Sequence, residues 1–174
     1  MSVIQMIFIV ETNEKTKSDN RYIRKLLDCI YDKTSNRIQF QFIEMGTKYQ
    51  YNSYKVVSKR DAFIRLNADG INHVIYCFDT DRIDINVDHI RELREREEFC
   101  TKNNYKFVWS CYDIENVFLG YSVSDKDKKK ESENFYRKKF ILTPKMINCL
   151  SSGSKTNRHS NILTVLKDLY PFNV

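Results

Sequence analysis

Apolar positions along the chain follow two periods. Val3 to Val10 is a nearly unbroken apolar run, the pattern of a strand buried on both faces, as in a parallel sheet covered by helices. After the polar loop "ETNEKTKSDN", the segment "RYIRKLLDCIYD" sets Tyr22, Ile23, Leu26, Leu27, Ile30 and Tyr31 at helical spacing. "RIQFQFIEM" alternates as a second strand, and "GTKYQYNSYK" reads as a polar, tyrosine-rich connection. Ser58, three residues before Asp61, predicts a capping-box-like start to a second helix that Gly70 stops. "HVIYCF" is the third strand, "VDHIRELREREEFCTKN" a third helix with Ile90, Leu93 and Phe99 on one stripe, and "YKFVWS" the fourth strand.

Four strands alternating with helices predict an α/β, Rossmann-like fold: a mostly parallel four-stranded sheet flanked by helices and joined by right-handed crossovers. Past residue 124 the pattern changes. "SDKDKKKESENFYRKKF" is charged, Thr143 and Pro144 read as N-cap and first helical residue of "PKMINCL", and "SNILTVLKDLY" is a last amphipathic helix. Residues 1–124 are expected as the core and 125–174 as a basic helical C-terminal extension packed on it, within a single domain overall.

Composition narrows the classes. A chain of 174 residues, 41% hydrophobic and 30% charged, with 4 Gly and 2 Pro, fits one folded domain and not a disordered one. No run approaches the ~20 apolar residues of a membrane helix, and "MSVIQMIFIV" lacks both the leading cations and the trailing cleavage site of a signal peptide, so a cytoplasmic location without a membrane is expected. The five cysteines fall at no zinc-type spacing, the three histidines share no ligand spacing, and no Ser or Cys sits on a Gly-flanked elbow. Net charge is +6, which favours an anionic partner.

The chemistry lies at the strand ends. In open α/β sheets ligands bind outside the carboxyl ends of the strands. Glu11 directly follows the first strand, Asp79 and Asp81 follow the third in "VIYCFDTDR", and Glu115 lies just past Ser110 at the end of the fourth. If those strands are neighbours the four carboxylates converge and repel, and a hard cation such as Mg²⁺ or Mn²⁺ relieves the repulsion. Residues i and i+2 of an extended strand point the same way, so Asp79 and Asp81 are expected to reach one ion or two adjacent ones. Lys15, Lys17 and Arg21 after Glu11, and Arg82 after the Asp pair, are within reach of a substrate phosphate. Lys138 and the basic run around it offer a track for nucleic acid, and Tyr49, Tyr51 and Tyr54 interleave with lysines as in single-strand binders. Solvated surface is the plainer reading of each of these charges.

A Glu after the first strand and a DxD after a later one resemble the TOPRIM domain of topoisomerases, primases and OLD-family nucleases. More closely, the chain is similar to the RloB-like branch, associated with bacterial defence against phages. The resemblance runs from Val3 to Tyr121 and rests on "FIVET", "VIYCFDTDR" and "WSCYDIENVFLGY". It implies a Mg²⁺- or Mn²⁺-dependent nuclease acting on DNA or RNA, with Asp79 and Asp81 on the metal, Glu11 as general acid or base or a further ligand, and Glu115 completing a second metal site or holding its water. Thr12 stands where the family has Gly, and Cys111 and Tyr112 where it has Asn and Pro. The missing Gly after Glu11 fits an alternative, a regulatory or binding subunit with a degenerate site that docks nucleic acid or another protein, although retention of all four acids argues the other way. A further alternative uses the DxD for the metal of a nucleotide or sugar nucleotide. With no GxxxxGK[ST] loop, any ATPase that gates the activity is a separate partner, and the sequence leaves a homo-oligomer open.

Overall fold

Runs rich in Ile, Val and Phe make the sheet, and their alternation divides the core. The computed structural model describes residues 2–31, 37–81, 83, 86–155 and 158–172. In chain order the elements are β1 (Ile4–Val10), α1 (Ser18–Ile30), β2 (Ile38–Glu44), α2 (Tyr54–Leu66), β3 (Ile71–Asp79), α3 (Val87–Lys102), β4 (Lys106–Ser110), α4 (Ile114–Leu119), α5 (Lys128–Arg137), α6 (Pro144–Leu150) and α7 (Ile162–Leu169). All strand pairs are parallel, in the order β2-β1-β3-β4. The expected α/β class, a four-stranded parallel sheet flanked by helices, is what forms.

On β1, Met6, Phe8 and Val10 face α1, while Ile7 and Ile9 face α2 and α3. On β3, Ile75 and Cys77 join the α1 side, and Val74, Tyr76 and Phe78 the other. The central strands are thus buried on both faces, each large side chain contributing about 1.5–3 kcal/mol. The chain winds outward from β1 to β2 and from β3 to β4, so the order reverses between β1 and β3. There the carboxyl ends of the two strands open a crevice.

The C-terminal helices close the α1 face. Leu150, Ile162, Leu163 and Leu166 are buried in the same cluster as Phe8 and Tyr31. The Trp109 N–H donates to Asn161 Oδ1 at 2.9 Å, and Asn161 Nδ2 donates to the Phe107 carbonyl at 3.0 Å, which covers the free edge of β4. Among the described residues no helix is long and apolar enough to cross a membrane.

Two helix starts differ from the sequence expectation. α2 begins at Tyr54, because Ser53 is the residue whose hydroxyl accepts from the Val56 N–H; Ser58 and Asp61 lie inside the helix, and Asp61 pairs with Arg60 at 2.8 Å. α1 begins at Ser18, and its first three residues, all polar, are buried. The segment expected as loop therefore contributes a turn of helix to the crevice.

Candidate acidic site at the reversal point of the sheet

A cleft of about 450 Å³ opens at the carboxyl ends of β1 and β3, and Glu11, Asp19, Asp79, Asp81, Lys48 and Lys128 are among the residues lining it. Glu11 leaves β1 directly, and its Oε1 accepts from the Asp79 N–H at 3.0 Å, which ties the two strand ends together. Asp79 continues the alternation of Ile75 and Cys77, so it falls on the α1 face of the sheet. Asp19 meets it there from the first turn of α1, where the helix dipole favours an anion. Its carboxylate accepts from the Thr12 N–H at 3.2 Å and from the Ser18 hydroxyl at 2.9 Å. Thr12, in the place of the expected Gly, uses its hydroxyl to accept from the Ser18 N–H at 3.1 Å and so fixes that turn.

The electrostatics of this group are unfavourable to charge. Burial, more than any other cause, pushes the Glu11 carboxyl up to about 8, against the hydrogen bond from Asp79 and with the help of Asp19 and Asp81. Burial, then Glu11, Asp19 and Glu115, hold Asp79 well above the usual carboxylate range. Asp19 is raised by burial although three hydrogen bonds oppose it. Glu115, wholly buried in α4, is pushed up to about 7 by burial and then by Asp19. Neither of its carboxylate oxygens has a hydrogen bond.

The structure brings Glu11 and Asp79 together at the base of the cleft, sets Asp81 at its rim and buries Glu115 behind it. Asp81 does not share Asp79's direction. β3 ends at Asp79, and Asp81 adopts φ 51°, a left-handed conformation that Asp tolerates, in an antiparallel bridge to Tyr112. The rule of same-facing i and i+2 residues fails with the extended backbone, and Asp81 instead takes Lys48 Nζ at 2.6 Å; the same ammonium reaches Glu92 at 3.1 Å.

The expected phosphate contacts fare unevenly. Arg21 is tied inward, to the Thr16 carbonyl, to Ser132 Oγ at 3.2 Å and to Glu133 at 3.2 Å, so it fastens α1 to α5 and leaves no fork for a phosphate. Lys15, Lys17 and Lys138 are exposed and outside the cleft lining. Arg82 lies outside the described residues. Of the tyrosines, Tyr51 packs edge-on against Phe78 and Phe99 in the core, Tyr54 is exposed at the start of α2, and Tyr49 lies exposed on the cleft wall.

Sequence reasoning missed Asp19 and read Lys48 and Lys128 only as nucleic-acid contacts, within the tyrosine–lysine stretch and the basic run, not as partners of the acids. Asp19 carries the usual signal of an acid opening an amphipathic helix. Lys128 shares one helix face with the buried Ser132 and the half-buried Phe135, at i, i+4 and i+7. Burial opposes its charge, but Glu115, Asp79, Asp19 and Asp125 outweigh that and raise the ammonium above its ordinary value.

The donor set suits a hard cation. All the acids offer oxygen, and the neutralising charge present falls short of what the buried carboxylates need. Among the described residues no three His, Cys, Asp or Glu side chains stand close enough to ligate one ion. Mg²⁺ ordinarily keeps several waters and takes one or two carboxylates from a protein, and Glu11 and Asp79 are the two that meet at the base of the cleft. No family model matches the chain, and no curated protein or solved structure matches it. Fold and site define an open parallel α/β protein with an acidic cleft where its strand order reverses.

Proposed function

We propose that the chain is a metal-dependent nuclease of TOPRIM-like, RloB-like type, cleaving phosphodiester bonds of DNA or RNA as an effector of anti-phage defence. The observation that carries the reading is the crowding of Glu11, Asp19, Asp79 and Glu115 at the reversal point, where burial raises the proton affinity of all four, Glu11 to about 8 and Glu115 to about 7, and repulsion adds to it for Glu11, Asp79 and Glu115. Such a group gains from a divalent cation, and Glu11 and Asp79 are the residues that would hold it. When bound, Mg²⁺ or Mn²⁺ supplies Lewis-acid polarisation of a phosphoryl oxygen and a more acidic water. Glu11 Oε1 is engaged by the Asp79 N–H, so Oε2 is the atom left to hold or pass a proton. The net charge of +6 draws a polyanion to the chain.

Cleavage tests this reading. Plasmid DNA, single-stranded DNA, tRNA and rRNA are incubated with Mg²⁺ or Mn²⁺ and either the native chain or Asp79→Asn. Metal-dependent cleavage by the native chain, lost in the variant, supports a nuclease and gives its substrate class.

A second reading, a regulatory or binding subunit, is favoured by one observation: Lys48 already neutralises Asp81, the acid that the DxD pattern would put on the metal. That protein would bind nucleic acid or an ATPase partner without cutting. The nucleotide or sugar-nucleotide reading calls instead for Mn²⁺-dependent binding of a mononucleotide with little affinity for polynucleotides.

A further inference from the structure

At the base of the cleft, three acids from three elements gather with little to balance them: Asp19 and Asp79 line it and Glu115 lies behind. Glu115 opens α4, is fully buried, and has no hydrogen bond at either carboxylate oxygen. Asp19 comes from α1 and Asp79 from the end of β3; Asp19 raises the proton affinity of both Asp79 and Glu115, and Glu115 that of Asp79. The side chain that reaches them belongs to a different part of the chain: Lys128, in the first turn of α5, brings Nζ to 3.9 Å from Glu115 Oε2 and to 3.7 Å from the exposed Asp125. α5 is fixed in that position by Arg21, which donates to Ser132 and Glu133 from α1.

We propose that Asp19, Asp79 and Glu115 form an interior cation subsite whose resident cation is the Lys128 ammonium. The 3.9 Å separation from Glu115 suits an ammonium better than a metal ion. Mg²⁺ draws its oxygens to about 2.1 Å, and among the described residues no three acids converge that closely. Ammonium contacts begin near 2.8 Å and extend outward, and a four-carbon stem lets the charge be delivered from the protein surface. The tethered cation leaves the chain one exchangeable divalent cation, at Glu11 and Asp79. Deleting the ammonium leaves the three acids uncompensated, so that a second divalent cation gains by drawing them together there. This goes beyond the nuclease reading and does not depend on it.

The test is a Mn²⁺ titration followed by the electron paramagnetic resonance of the free ion, on the native chain, Lys128→Ala, Lys128→Met, Lys128→Arg and the double variant Lys128→Ala, Glu115→Gln. Thermal melts establish that each is folded, and Lys128→Met keeps the buried stem should the Ala variant fail to fold. The expected result is one additional Mn²⁺ per chain, or at least tenfold tighter binding, in Lys128→Ala or Lys128→Met, native behaviour in Lys128→Arg, and loss of the gain in the double variant. Unchanged stoichiometry and affinity without the lysine would overturn the proposal, as would a gain that survives Glu115→Gln. A chain that cuts nothing yet gains Mn²⁺ keeps the subsite, whereas an active nuclease whose Lys128 variants gain none loses only the subsite.

Discussion

Glu115→Gln tests the electrostatics most cleanly, because Gln keeps the shape and cannot ionise. In the folded chain burial and Asp19 push the Glu115 carboxyl up from an ordinary 4.5 to about 7. A folded value above the unfolded one means that the folded state binds the proton more tightly. The stability from that proton is complete below about pH 4.5 and is lost as pH rises through about 7. At about 1.4 kcal/mol per tenfold in proton affinity, the full loss is about 3 kcal/mol, of which about 2–3 falls between pH 5 and pH 8. Gln inherits the missing hydrogen bonds, so its absolute stability mixes two effects, but that second cost does not change with pH. The readout is therefore the pH dependence, measured by thermal melts in chelator at pH 5 and pH 8. Relative to the native chain, Glu115→Gln should gain about 2–3 kcal/mol on going from pH 5 to pH 8, which for a chain of this size is about 5–10 °C. An equal difference between the two proteins at both pH values would refute the reasoning.

Four further substitutions separate structural from functional roles. Arg21→Ala should lower stability to urea by about 1 kcal/mol, because it unties α1 from α5, and should change nucleic-acid affinity less than twofold. Ser53→Ala should cost about 1 kcal/mol as a lost N-cap, and Ser58→Ala inside the same helix less than about 0.5. Gly70→Ala should destabilise by about 1–3 kcal/mol, since its Cβ would meet the Val3 carbonyl oxygen at 2.5 Å and Asn67 Oδ1 at 2.3 Å; a neutral result in a melt would contradict the packing at that turn.

The strands were legible because burial on both faces leaves the unbroken apolar signature of Val3 to Val10 and Val74 to Phe78. Strand order was not, since the pairing of β1 with β3 joins residues far apart in sequence. The acids that leave a strand directly, Glu11 and Asp79, were legible for the same reason as the strands. Asp81 was misjudged because the two-residue rule holds only on extended backbone, and the chain turns left-handed at that residue. Asp19 was hidden because periodicity counts apolar positions, while the first turn of α1 buries Ser18, Asp19 and Asn20. Lys128 stands in a run of three lysines, and only the helix face it shares with Ser132 and Phe135 tells it from Lys129 and Lys130, which are exposed.

The central claim is that the carboxylates at the β1–β3 reversal point await a divalent cation. Calorimetric titration of Mn²⁺ at pH 6, 7 and 8, in buffers of different ionisation enthalpy, addresses it directly. Without a cation Glu11 titrates at about 8 and Asp79 well above its ordinary range, so binding must expel protons near neutral pH. The expected result is affinity that tightens as pH rises toward 8, with proton release at pH 7 that is reduced in Glu11→Gln and a site that is lost in Asp79→Asn. A folded native chain that binds no Mn²⁺, or binds it with neither proton release nor dependence on Asp79, would contradict the account.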